Sequence, residues 1–206
     1  MESVSNVLFW ISNGLLVPVM VGLLFLFVRA LLLLGGFYGE YLERRKIEKQ
    51  LSGTLNGLKA EYVAKLSVIL EGQKMTPFIE TASRLLQPEM TSVHRDHLIG
   101  EYEIEAMSRL NVAKNLTKFG PILGLMGTLI PMGPALVGLS TGDIGSMAYN
   151  MQVAFATTVI GLFSGAIGYV LLQVKQKWMD TDLLNLDFLS GLLAQSEEIR
   201  GKGELK

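Results

Sequence analysis

The chain has 206 residues, half of them hydrophobic, a formal net charge of -1 and no cysteine. Its positive mean hydropathy is too high for an ordinary soluble domain, and its length is too small for a transporter of many helices. The near-zero charge excludes bulk attraction to nucleic acid, and the lack of cysteine excludes disulfides and thiolate-bound metals.

Three apolar runs follow one another along the chain, at residues 9–36, 119–139 and 153–174. A bilayer core needs about 20 apolar residues in a helix, and each run is long enough. The predicted fold class is therefore all-α, a polytopic membrane protein with three transmembrane helices extended into a helical cytoplasmic region. Residues 1–12 carry no lysine or arginine and no A-x-A site follows, so the first run is expected to be a retained anchor rather than a cleaved signal peptide. Arg44, Arg45, Lys46 and Lys49 follow the first run, Lys114 and Lys118 precede the second, and Lys175 and Lys177 follow the third. The link at 140–152 holds only Asp143. Basic residues stay on the cytoplasmic side. The expected topology in a cell inner membrane thus has a periplasmic N-terminus and hairpin turn, and a cytoplasmic middle segment and C-terminus. Arg29 interrupts the first run. It is expected to snorkel at the cytoplasmic boundary, with Leu31 to Leu34 continuing inward against other protein; a buried ion pair or a lipid-headgroup contact is the alternative.

The organisation expected is 1–38 for the N-terminus and first membrane helix, 39–118 for the cytoplasmic helical region, 119–174 for the second and third membrane helices, and 175–206 for a cytoplasmic helix and tail. In the cytoplasmic region, Leu51, Leu55, Leu58, Tyr62, Leu66 and Ile69 form one apolar stripe at helical spacing. Pro77 and Pro88 bracket a shorter helix with Phe78, Ala82 and Leu85 on one side. Ile99, Tyr102, Ala106, Leu110 and Ala113 make a further stripe, and Leu183, Leu186, Leu189 and Leu193 another. These stripes fit packing within one chain or between subunits. No catalytic motif, cofactor motif or complete metal site is present: His94, His97 and Glu101 lie at i, i+3 and i+7 but read as a solvated face.

The polar chemistry sits in the last two membrane helices. Pro121, Gly124, Thr128, Pro131 and Ala135 line one face of the second helix. Thr157, Gly161, Gly165 and Gly168 line one face of the third, with Thr158 and Ser164 beside them. Small faces let helix backbones approach closely, which explains the glycines without further function. Three threonines on two adjacent helices suggest a polar seam that relays a proton, partly desolvates an ion or hydrogen-bonds a partner's carboxyl group. Pro131 and Pro134 are expected to kink the second helix and free backbone carbonyls, either as a packing feature or as a hinge. No Asp, Glu, Lys or His lies within 119–139 or 153–174. Proton transport in a membrane ordinarily uses a group that changes protonation state, so that group has to come from another chain.

Two stretches resemble the MotA/TolQ/ExbB proton-channel family. Gly124-Leu125-Met126-Gly127-Thr128 is similar to the "LGLxGT" opening of the second helix in ExbB and TolQ, and Ala156-Thr157-Thr158-Val159-Ile160-Gly161-Leu162 is similar to the third-helix "ATAIGL". The resemblance implies the larger, non-enzymatic membrane subunit of an ion-driven motor. It implies a ring, a pentamer in known members, around two single-span ExbD/TolR/MotB-type helices whose aspartate carries the proton. By matching positions, Thr128 and Thr158 would face the pore near that aspartate; Thr157 stands at an alanine position of the pattern. Gly124, Gly161, Gly165 and Pro131 would then serve as packing or hinge positions. Family members often carry a glutamate five residues before the third-helix threonine, where this chain has Val153 beside Gln152. Three expected spans against the four of flagellar stators make the resemblance nearer to the ExbB/TolQ branch. The competing reading is a structural or scaffolding membrane protein whose small faces only pack helices.

Overall fold

The computed structural model describes residues 2–55, 76–87 and 90–203. The described residues form four helices: α1 (Glu2–Leu55), α2 (Pro77–Leu85), α3 (Ser92–Ser140) and α4 (Ile144–Gly203). No strand occurs among the described residues. The stripe residues Leu58, Tyr62, Leu66 and Ile69, like Pro88, lie outside them.

Among the described residues, three helices, α1, α3 and α4, are long and apolar enough to cross a membrane. The chain is therefore an all-α membrane protein. In hydrocarbon every backbone N–H and C=O has to be satisfied within the segment, which only a helix or a closed barrel achieves. At a rise of about 1.5 Å per residue, a 30 Å slab takes only about 20 residues. The 49 residues of α3 and the 60 of α4 are more than twice what is required. The charge-free stretches 119–139 and 153–174 are the portions suited to hydrocarbon.

The chain divides into two compact units, one of Met1–Gly39 with Asn111–Gln173 and the other of Glu40–Leu110 with Val174–Lys206. In the first unit α3 turns back on itself into α4 through Thr141, Gly142 and Asp143. Gly142 takes the left-handed conformation the turn needs, with φ 75°. Asp143 then caps α4, its carboxylate accepting from the Ser146 N–H at 3.0 Å. Along α1, Val19 and Leu23 bury against Ile130, and Ala30 against Ala113, Leu116, Ile167 and Leu171. Rising numbers on α1 thus meet falling numbers on α3, so these two helices are antiparallel. Leu33 joins the Ala30 cluster, whereas Leu31, Leu32 and Leu34 are exposed.

The second unit has an aqueous-type core. Helix α2 starts at Thr76, whose hydroxyl accepts from the Ile79 N–H at 3.3 Å, with Pro77 in its first turn, Glu80 near its start and Arg84 in its last turn. Its apolar side, Phe78, Ile79, Ala82 and Leu85, packs on Leu98, Ile99 and Tyr102 of α3 and on Leu186 and Leu189 of α4. Where they are described, at Phe78, Ala82 and Leu85, at Ile99 and Tyr102, and at Leu186 and Leu189, the cytoplasmic-type stripes therefore pack within one chain. Among the described residues, two ionic groups with a buried member reinforce this unit. Arg44 pairs with Asp182, which also accepts the Tyr102 hydroxyl at 2.7 Å. Arg44 lies 5.0 Å from the Trp178 ring, which stacks on Tyr41 at 6.1 Å. Arg95, only 2% exposed, makes two parallel bonds of 2.9 Å to the Glu197 carboxylate. The hydrogen bond from Arg95 holds the Glu197 carboxyl below its ordinary range.

Candidate functional site: the glycine contact of α3 and α4

A close helix contact in the first unit joins α3 to α4. A Cβ added at Gly120 would lie 2.7 Å from the Gly161 carbonyl oxygen and 2.8 Å from the Gly165 nitrogen. One added at Gly161 would lie 2.6 Å from the Gly120 oxygen and 2.7 Å from Gly124 Cα. A Cβ added at Gly165 would lie 2.7 Å from the Pro121 ring, and one added at Gly168 would lie at the same distance from Leu116 Cβ. These positions are closed to any side chain, because the atoms in the way are mostly backbone or rigid ring. The four small residues that sequence spacing places on one face of α4 do pack on α3, which is the physical use of such faces, but of the α3 face read from spacing only Pro121 and Gly124 take part, joined by Gly120, Gly127 and Leu116.

Thr157 belongs to this contact. A Cβ on Gly127 would fall 2.6 Å from both Thr157 Cβ and Oγ1, so the missing side chain of Gly127 is the notch that Thr157 fills. Thr157 is 6% exposed, and its hydroxyl donates to the Ala154 carbonyl at 2.9 Å, with the Val153 carbonyl at 3.1 Å. Ser164 is fully buried and donates to the Ile160 carbonyl at 2.8 Å. Both hydroxyls are satisfied within their own helix, as buried hydroxyls require.

Thr128 and Thr158 flank the same contact and are partly exposed. A Cβ on Gly124 would lie 3.6 Å from Thr158 Cα, and Thr128 is one helical turn beyond Gly124. The Thr128 hydroxyl donates to the Leu125 carbonyl at 2.7 Å, and the Thr158 hydroxyl to the Ala154 carbonyl at 3.1 Å. Each hydroxyl proton is thus committed to the backbone. What each threonine presents outward is its oxygen lone pairs, so both are acceptors toward any group alongside. A protonated carboxylic acid or a hydrated cation is the complementary chemistry; a carboxylate is not.

Helix α3 is continuous through Pro121, Pro131 and Pro134. Each proline lacks an N–H, so the carbonyls of Thr117, Gly127 and Ile130 lose their usual acceptor role toward the residue four ahead. Pro131 is buried and Pro134 half-buried. Gln152 is exposed and Val153 half-buried, one turn before Thr157 and Thr158. Among the described residues no group of three or more His, Asp or Glu is placed to hold a metal. His94 shares a 2.7 Å hydrogen bond with Thr91, and His97 lies 3.3 Å from Glu101 on an exposed surface.

Sequence reading missed the Arg44–Asp182–Tyr102 and Arg95–Glu197 groups. A signal for the first was present: Asp182 stands at i, i+4 and i+7 with Leu186 and Leu189, on the stripe that packs inward. An acid in such a stripe needs an inward-facing cation or donor.

No curated protein and no solved structure gave a match. Residues 70–186, more than half of the chain, match the MotA/TolQ/ExbB proton channel family. That stretch includes α2, the whole of α3, Leu186 among their packing partners on α4, and both threonine-flanked sides of the glycine contact. The chain is a member of the MotA/TolQ/ExbB proton channel family.

Proposed function

We propose that this chain is the large subunit of an ion-driven motor in the inner membrane, conducting protons past Thr128 and Thr158 with a titrating aspartate supplied by a single-span partner of the ExbD/TolR/MotB type. The observation that carries the reading is the pair of acceptor hydroxyls on two helices that contain no ionisable side chain of their own in 119–139 and 153–174. A proton needs a carrier, and the neutral form of a carboxylic acid is a donor that both threonines are arranged to receive. We assign Thr157 the role of holding the two helices at the separation that sets the pathway, together with Gly124, Gly161, Gly165 and Pro131. A homopentamer surrounding two partner helices, with the N-terminus periplasmic and the C-terminus cytoplasmic, completes the proposal. Ion movement would turn or shift the partner within the ring.

The test is proton flux in liposomes holding both proteins. Thr158→Val, which keeps shape and removes the acceptor, is expected to lower flux about tenfold, the rate equivalent of one hydrogen bond of about 1.4 kcal/mol. Thr158→Ser is expected to keep most of it. Neutralising the partner's aspartate should abolish flux. Strong flux through this chain alone would overturn the division of labour, and an unchanged rate in Thr158→Val would remove Thr158 from the pathway.

A further inference from the structure

Arg29 is the one charged residue between Glu2 and Glu40 on α1. It is exposed, and it lies on the outward stripe of the helix: Phe25 is 60% exposed one turn before it, and Leu32 is 72% exposed one turn after it. Its neighbour Ala30 is fully buried and fixes its depth, because Ala30 packs with Ala113 and Leu116 of α3. Lys114 and Lys118 flank Leu116 two residues to either side, about 3 Å along the axis each way. Both lysines are exposed. Arg29, Lys114 and Lys118 therefore stand within about one helical turn of a common level.

That level is one edge of an apolar slab. From Arg29 back to Phe9 is about 30 Å of helix, and from Lys118 on to Ser140 is about 33 Å, each close to the thickness of a hydrocarbon core. The unit that contains these three cations has only two carboxylates in its sequence, Glu2 and Asp143, and both are at the opposite end of the helices. No described carboxylate pairs with Arg29, Lys114 or Lys118, whereas Lys175 pairs with Glu40 at 2.6 Å. Three cations without a partner among the described residues, at one height and with an apolar surface on one side of them, are complementary to a plane of phosphate groups.

We propose that Arg29, Lys114 and Lys118 form a binding belt for the phosphates of anionic glycerophospholipids, of the phosphatidylglycerol or cardiolipin kind, in the leaflet at the basic end of the helices. Arg29 is the selective element. Its planar guanidinium donates two parallel hydrogen bonds to one phosphate, and its three-carbon stem lies along the exposed leucines while the head reaches the headgroups. The lysines add point charges at the same level.

The test uses the full chain in bilayers of phosphatidylcholine with a minor fraction of spin-labelled phosphatidylglycerol, reading the fraction of label immobilised at the protein against spin-labelled phosphatidylcholine. Each basic residue near an anionic surface favours binding by about fivefold. The parent chain is expected to prefer the anionic label several-fold, Arg29→Lys to keep part of the preference, and Arg29→Gln to lose about fivefold. Lys114→Gln with Lys118→Gln should reduce it further. Equal immobilisation of both labels by the parent chain overturns the proposal. So does an Arg29→Gln variant that keeps the full preference, or one that changes only subunit association, which would place a protein carboxylate on Arg29. The readout is independent of ion flux, so its failure leaves the assignment of Thr128 and Thr158 untouched.

Discussion

Tyr102 concentrates the energetics of the second unit in one hydroxyl. It is 7% exposed, and it donates at 2.7 Å to an Asp182 oxygen whose partner oxygen is engaged by Arg44. Burial first, and then the Asp182 charge, push its phenol well above the ordinary range. The neutral hydroxyl is thus favoured in the folded state. The stabilisation is fully present below the unfolded phenol value of 10.0 and declines as pH rises beyond it, because the unfolded chain ionises first. Tyr102→Phe is expected to cost about 1.5–3 kcal/mol, the scale of a hydrogen bond to a charged group, and to lower the thermal midpoint in detergent at pH 7. The same variant should lose stability less steeply than the parent above pH 10; parallel alkaline curves would refute the assignment. This hydroxyl was not legible in the sequence, where Tyr102 reads only as one apolar member of the stripe of Ile99 and Ala106. The ring does pack there, but its polar end is fixed by a helix 80 residues away, and spacing along one helix carries no record of that. Thr157 shows the same limit in reverse: its place in a seam of three threonines suggested a pathway role, although the family pattern has alanine there, and the notch at Gly127 on another helix is what sets its burial.

At the scale of elements, the α3–α4 contact separates two kinds of glycine. Gly161 is closed by the backbone of Gly120 and Gly124, within 2.7 Å of any added Cβ, whereas a Cβ at Gly36 on α1 meets nothing within 4 Å. Gly161→Ala therefore has to push two backbones apart. It is expected to cost about 1–3 kcal/mol, the range for overpacking, with nearly all flux lost as the helices separate. Gly36→Ala, read in the same detergent melt, should stay within about 1 kcal/mol of the parent, since it removes only the conformational cost of a helical glycine. A destabilised Gly36→Ala would mean that another chain covers this face. The small-residue period of α4 was readable from sequence because its partner face repeats the same period, so two local patterns jointly specify one contact. The length of the helices was less readable. The apolar runs mark only what suits hydrocarbon, while α3 begins at Ser92, 27 residues before its own run. The amphipathic stripe that leads into it has no proline between Ser92 and Gly120 to interrupt the backbone.

At the scale of the whole molecule, orientation is carried by charge rather than by packing. Helices α1, α3 and α4, each able to cross a membrane, place Arg44, Arg45, Lys114, Lys118, Lys175 and Lys177 at one end of their apolar stretches, and leave Asp143 in the connection at the other. Translocating lysine and arginine is costly, so the basic ends are expected to stay in the cytoplasm and the Thr141–Gly142 turn to cross. The absence of cysteine makes this directly measurable, because a single introduced thiol is the only reactive one. Ser3→Cys and Thr141→Cys are both at exposed positions and are expected to react with a membrane-impermeant maleimide in intact spheroplasts. Ser108→Cys and Thr181→Cys, also exposed, should react only after the membrane is opened. Labelling of Thr141→Cys together with Ser108→Cys from the outside would contradict a membrane-crossing α3. Labelling of Ser108→Cys and Thr181→Cys alone would invert the chain and with it the direction of ion entry, because the basic belt at Arg29, Lys114 and Lys118 would then face the periplasm. The expected pattern instead puts that belt on the cytoplasmic leaflet and the hairpin turn outside. A proton entering from the periplasm would then meet the turn and Gln152 first, and Thr158 and Thr128 deeper in the same contact.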